Sequence, residues 1–147
     1  VRLLPRMKQN NMNSALLMSV YDPRTGKLEI ANAGMLQPYM IANGQCEAIE
    51  VSGYPLGASE RMTYKARTIT LTPGTFLLFV TDGVTECPNP DGEFFGFERL
   101  ESLLTKVTPS MSANQLVDMV LRAIGDHAAG TEQADDITVV VLKVLSV

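Results

Sequence analysis

Phe76–Glu86, FLLFVTDGVTE, is the stretch whose reading decides the fold. An unbroken apolar run, Phe76 to Val80, gives way at once to Thr81, Asp82 and Gly83. A short apolar run bounded by turn formers is the pattern of a buried strand. A second acidic pair, Asp135-Asp136, opens another such run, ITVVVLKVL, near the C-terminus. If the two strands pair antiparallel, the end of the first lies beside the start of the second. Asp82 and Asp135 then meet at one rim of a sheet. Two carboxylates brought together repel unless protonated or bound to a cation, and such oxygen ligands suit hard divalent ions, Mg²⁺ or Mn²⁺.

Working outward from Phe76, the upstream sequence reads as strands and turns. Ser14–Tyr21 is a strand, Asp22-Pro23-Arg24-Thr25-Gly26 a turn, and Lys27–Asn32 the returning partner. Tyr39–Ala42 and Gln45–Val51 flank Asn43-Gly44, a two-residue hairpin signal. The alternating segment Tyr64–Leu71 and the turn at Pro73-Gly74 lead into Phe76–Thr81. Strands arriving in succession predict an antiparallel meander. Downstream, PNPDGEFFG (88–96) is a loop, and Phe97–Val107 has helical spacing. A second helix, capped by Ser110 or Ser112, carries Leu116, Met119, Val120, Ala123 and Ile124 on one face and ends at Gly130. The last strand spans Asp136–Leu145. The pattern is one α+β domain over 1–147, with layered sheets and two helices covering one face.

Composition narrows the function classes. The 147 residues are 46% hydrophobic and 19% charged, with a net charge of −4. That is a globular chain, and an acidic one lacks the basic footprint of a nucleic-acid binder. No apolar run approaches the roughly 20 residues that cross a bilayer, and Pro5 interrupts the only apolar start a signal peptide would need. The polar, basic Val1–Asn13 reads as the end of something that began earlier. Cys46 and Cys87 lack metal-knuckle spacing and read as free thiols of a reducing cytoplasm. His127 reads as a surface or capping residue, and the eight methionines as core filler, the alternative being an adaptable protein-binding surface of Met12, Met18, Met35, Met40 and Met62. Phe94-Phe95 either pins its loop to the core or forms a flap for a partner.

Four motifs occur in order: ANAG (31–34) followed by Gln37-Pro38, PLG (55–57), LTPGTFLLFVTDGVTECPNPDGEFFGFERL (71–100) and ADDITVVVL (134–142). Together they resemble the metal-dependent type-2C serine/threonine phosphatases, in particular the bacterial sporulation-phosphatase (SpoIIE-like) subgroup with its stress-response sigma regulators. The resemblance implies an α-β-β-α sandwich of antiparallel sheets with a two-metal Mn²⁺ or Mg²⁺ site. By it, Asp82 and Asp135 are metal ligands, and the metals activate a water that attacks a phosphoserine or phosphothreonine. Asp136 either adds a metal contact or orients its neighbours. Glu86 steers a water or stabilises a helix start, and Gly34, Gly57 and Gly83 serve backbone geometry. The implied setting is cytoplasmic, with no membrane or nucleic acid. The implied partner is a phosphorylated regulatory protein such as an anti-sigma-factor antagonist, and a homodimer is expected of exposed sheet edges.

Three departures from the family pattern stand out. The family's upstream Gly-Asp, whose aspartate bridges both metals, is missing, so the phosphatase domain is expected to lack its N-terminal part. The only aspartate before Asp82 is Asp22, in a turn. Met35 replaces the histidine of the family's AGH, and a thioether takes up no proton at neutral pH. Thr75 stands in the turn usually written PGD. The alternative these departures raise is a catalytically inactive module that binds or sequesters a regulatory protein.

Overall fold

A computed structural model of the chain describes residues 13–59 and 62–145. The chain groups into two units, Val1–Gln37 with Glu50–Leu71, and Pro38–Ile49 with Thr72–Val147. The basic segment expected to be the end of an earlier element falls almost wholly outside the described residues.

The first unit is built on a hairpin. Strand β1 (Leu16–Asp22) pairs antiparallel with β2 (Lys27–Ala33), from Leu16 opposite Ala33 to Asp22 opposite Lys27. The turn between them is organised by Asp22, whose Oδ1 accepts the Arg24 N–H at 2.9 Å and whose Oδ2 accepts the Thr25 hydroxyl at 3.1 Å. These bonds, the Arg24 amide first, hold the Asp22 carboxyl below its ordinary range. Asp22 is thus committed to its turn. In β2 the alternation is textural: Leu28 and Ile30 are buried and Lys27 and Glu29 exposed.

The second unit contains β3 (Tyr39–Ala42) and β4 (Gln45–Ala48), joined by the predicted turn. Asn43 and Gly44 have φ of 53° and 76°, the left-handed pair that a two-residue hairpin turn needs. The remaining strand of the first unit is β5 (Arg67–Thr70), and β6 (Phe76–Val80) follows it in the second. Helices α1 (Asp82–Thr85), α2 (Gly96–Leu104) and α3 (Ala113–Ala128) precede the last strand, β7 (Val139–Lys143). Sheet order is β1-β2-β5 in the first unit and β4-β3-β6-β7 in the second.

The simple meander is therefore corrected. β5 pairs with β2, not with its sequence neighbours, and β6 pairs with β3 and β7. The long connection after β4 is no tight turn, so it does not confine β5 to the edge of β4. The predicted strand over 64–71 shortens to four residues because Tyr64 to Ala66 find no ladder partner.

Strand β6 is central and buried along most of its length, with Phe76, Leu77 and Leu78 at 1% exposure or less. Burial of such side chains contributes about 1.5–3 kcal/mol each. Helix α3 packs on β7 and buries Leu116, Val120 and Ile124, positions spaced one turn apart. Ser112, not Ser110, caps it: the Ser112 hydroxyl accepts the Gln115 N–H at 3.1 Å, and the Gln115 side chain accepts the Ser112 N–H at 2.7 Å. Tyr39 ties β3 to α2 by donating its hydroxyl to Glu101 at 3.0 Å, and burial together with that carboxylate raises its pKa.

The described methionines are not core filler. Among the described residues none is fully buried, and Met18 is 63% exposed on the outer face of β1.

Candidate functional site

The rim predicted from Phe76–Glu86 exists in the second unit. β6 and β7 run antiparallel with Val80 opposite Val139, so the segments just beyond them, Thr81–Asp82 and Asp135–Thr138, lie side by side. Asp82 is not the last residue of the strand. It opens helix α1, and Thr81 precedes it in extended conformation, φ −85° and ψ 164°.

Several bonds draw the two segments together. Thr81 N–H donates to Thr138 O at 3.2 Å, continuing the ladder by one step. The Thr81 hydroxyl accepts the Thr138 N–H at 2.9 Å and donates to Asp136 O at 2.9 Å. Gly83 is pressed against the same backbone: a Cβ there would stand 2.5 Å from Asp136 O. The glycine is needed for close approach, since its φ is not in the left-handed region.

The carboxylates are at the surface. Asp82, Asp135 and Asp136 are all exposed. Asp82 Oδ1 accepts its neighbour's Gly83 N–H at 3.1 Å, and Asp135 Oδ1 accepts the Asp136 N–H at 2.7 Å. Gln133 Nε2 donates to Asp135 O at 2.8 Å and steadies that turn. Among the described residues neither Asp82 nor Asp135 has an ion-pair partner, and the second oxygen of each accepts no hydrogen bond. Asp82 and Asp135 thus offer hard oxygen donors, from two segments in backbone contact. That donor set suits a divalent cation of the Mg²⁺ type, which keeps several waters and is held by one or two carboxylates plus substrate phosphate. It does not suit an all-protein cage: among the described residues no group of three or more His, Cys, Asp and Glu is arranged to hold a metal.

A cavity of about 190 Å³ adjoins Asp135, lined by Glu86, Cys87, Phe94, Gln133 and Ile137 among others. Glu86 is exposed, and its N–H closes α1 on Asp82 O at 2.7 Å. Phe94 and Phe95 are placed differently. Phe95 is buried and meets the His127 ring edge-on at 5.4 Å, whereas Phe94 is 56% exposed. Arg99 donates to Phe94 O at 2.9 Å and to Phe95 O at 3.2 Å, and His127 Nε2 lies 3.0 Å from Glu93 O. His127 is therefore a half-buried fastener of the 88–96 loop. Both cysteines are free, Cys87 buried and Cys46 half-buried with its thiol pushed up to about 11 by burial and then by Glu101 and Glu47.

The ANAGM segment belongs to the first unit and is shaped by Asn32. That buried side chain accepts the Met35 N–H at 2.9 Å and donates to Met35 O at 2.8 Å and Val51 O at 3.0 Å. Gly34 has φ +85°, and a Cβ would meet Pro55 at 2.6 Å. Sequence reasoning singled out Gly34 and Met35 but missed Asn32 and Thr81. The signal for Thr81 lay in its place between a strand and an Asp-Gly turn, where a hydroxyl can serve backbone groups.

The chain matches the family model described as "Stage II sporulation protein E (SpoIIE)" over residues 2–145. It belongs to the SpoIIE family. One relative is Protein IcfG of Synechocystis sp., 33% identical over 132 residues, covering 88% of this chain and 20% of IcfG. The chain thus spans about a fifth of that relative's length. The SiaA-PP2C domain of Pseudomonas aeruginosa superposes with a TM-score of 0.79 at 19% identity, covering 96% of this chain and 58% of that one. The RsbU and RsbW domains of Rv1364c from Mycobacterium tuberculosis give 0.73 at 20% identity, covering 96% and 39%. The phosphatase domain of the cell fate determinant SpoIIE from Bacillus subtilis, in a manganese-presoaked form, gives 0.68 at 14% identity, covering 98% and 72%. These likenesses establish the fold as that of PP2C-type phosphatase domains, α and β with antiparallel sheets, as the motifs implied. The family match and these likenesses together give a SpoIIE-family chain with the fold of PP2C-type phosphatase domains. No helix among the described residues is long and apolar enough to cross a membrane.

Proposed function

We propose that the chain belongs to a single metal-dependent phosphoserine/phosphothreonine protein phosphatase domain. Asp82 and Asp135 hold Mn²⁺ or Mg²⁺, and Asp136 lies beside them. The observation that carries this reading is the hydrogen-bonded closure of the Asp82 and Asp135-Asp136 segments at the β6–β7 rim. The manganese-presoaked SpoIIE phosphatase domain with the same fold adds support. A bound divalent ion supplies Lewis-acid polarisation of a phosphoryl oxygen and a water nucleophile active near neutral pH. The chain's own contribution is to hold the two segments that bear the carboxylates in contact, with Gly83 allowing the approach and Gln133 steadying Asp135. Glu86 borders the cavity beside Asp135, where it can orient a water or a substrate group. The substrate class is a phosphorylated regulatory protein of a cytoplasmic partner-switching system, such as an anti-sigma-factor antagonist, and the domain acts as a homodimer.

Met35 and the lack of a third ligand among the described residues favour a second reading, a domain that binds such a phosphoprotein without hydrolysing it. One assay separates the two. The chain is incubated with a phosphoserine peptide and Mn²⁺, alongside Asp82→Asn. Phosphate release that falls at least about a hundredfold in the variant is the expected result. Equal release by both overturns the assignment of Asp82, and peptide binding without release by either establishes the second reading.

A further inference from the structure

The Thr81 carbonyl and hydroxyl have exchanged the jobs expected of them in a ladder. Val80 opposite Val139 is the last regular pair, and Thr81 opposite Thr138 would be next. Thr81 N–H does donate to Thr138 O, at 3.2 Å. The reciprocal bond would run from Thr138 N–H to Thr81 O. That carbonyl has instead turned into helix α1, where it accepts the Val84 N–H at 3.1 Å. The hydroxyl fills the gap, accepting the Thr138 N–H at 2.9 Å and donating a hydrogen bond to Asp136 O at 2.9 Å. The chain can therefore leave the strand for α1 at Asp82 without releasing the segment that bears Asp135.

We propose that Thr81 is a positioning residue, whose hydroxyl sets the spacing of the Asp82 and Asp135 carboxylates and thereby the affinity of the rim for a divalent cation. The proposal rests on the reading of those aspartates as ligands. Groups that orient metal ligands without touching the ion act on affinity in this way. Valine at position 81 keeps the shape and the extended backbone but can neither accept from Thr138 nor donate to Asp136. Serine keeps both functions.

The test is paramagnetic broadening of backbone amide signals by Mn²⁺, recorded on the full 147-residue chain. In the wild type, the Gly83 and Asp136 amides broaden first. Thr81→Val needs about tenfold more Mn²⁺ for the same broadening, and Thr81→Ser stays within about twofold of wild type. The metal-free spectrum reports folding, and Thr81→Ala is read in the same way if the valine variant loses its dispersed spectrum. Broadening of Thr81→Val at the wild-type Mn²⁺ concentration overturns the positioning role. Asp82→Asn keeps the two claims apart. If it loses the broadening while Thr81→Val does not, the ligand reading stands and the Thr81 proposal falls. If Asp82→Asn broadens like wild type, the ligand reading itself falls.

Discussion

Two turns in this molecule leave strand ends by similar means and serve different ends. In the first unit, Asn32 at the end of β2 holds the Ala33–Met35 turn through two bonds to the Met35 main chain and ties it to Val51 O by a third. In the second, Thr81 beyond β6 holds the Asp135–Thr138 segment through main-chain groups as well. Asn32 is buried, and its partners would be stranded without it. Thr81 lies nearer the surface, and what it organises is a pair of exposed carboxylates. The first turn is architecture whose shape does not depend on the side chain at Met35. The second brings together the two segments that carry the exposed Asp82 and Asp135. The first turn is held through the backbone whatever side chain stands at 35, whereas the function proposed for the second rests on the side chains of Asp82 and Asp135.

The contrast predicts a separation of stability from activity, beginning with the largest effect. Asp82→Asn should lower Mn²⁺-dependent phosphate release at least about a hundredfold while the melting temperature stays put, because Asp82 is exposed. A matching fall in melting temperature would make the rim structural rather than chemical. Asn32→Ala should do the reverse in kind, costing about 3 kcal/mol in urea unfolding, since it removes three bonds and strands buried partners. Gly83→Ala belongs between the two classes. Its Cβ would strike Asp136 O, so about 2 kcal/mol of stability should be lost together with Mn²⁺ affinity. Loss of stability alone would uncouple Gly83 from the site. Met35→His should be the mildest, within about 0.5 kcal/mol of wild type, because Asn32 grips the backbone at 35 and not its side chain. A larger change would show that the two turns are not so different.

Much of this was legible in the sequence, for identifiable reasons. The strand β6 and the turn after it are local: an apolar run ends in Thr-Asp-Gly, and no distant contact is needed to read it. Asn43-Gly44 and the capping residue of α3 are equally local. The pairing of β5 with β2 was not legible, because alternation marks a strand without naming its neighbour. The methionines misled because an unbranched side chain fits an edge-strand surface as well as a core, as Met18 shows. Asp82 and Asp135 could be paired by antiparallel logic alone. The place of Thr81 marks a hydroxyl able to serve backbone groups, but not which ones, since its partners at Asp136 and Thr138 are more than fifty residues away.

The central claim is that Asp82 and Asp135 bind one cation together. The most direct measurement is anomalous diffraction at the manganese edge from crystals of the chain soaked in Mn²⁺. An anomalous peak at bonding distance from a carboxylate oxygen of both aspartates is expected. A peak bound elsewhere, or soaked crystals in which the two carboxylates show no peak between them, would contradict it.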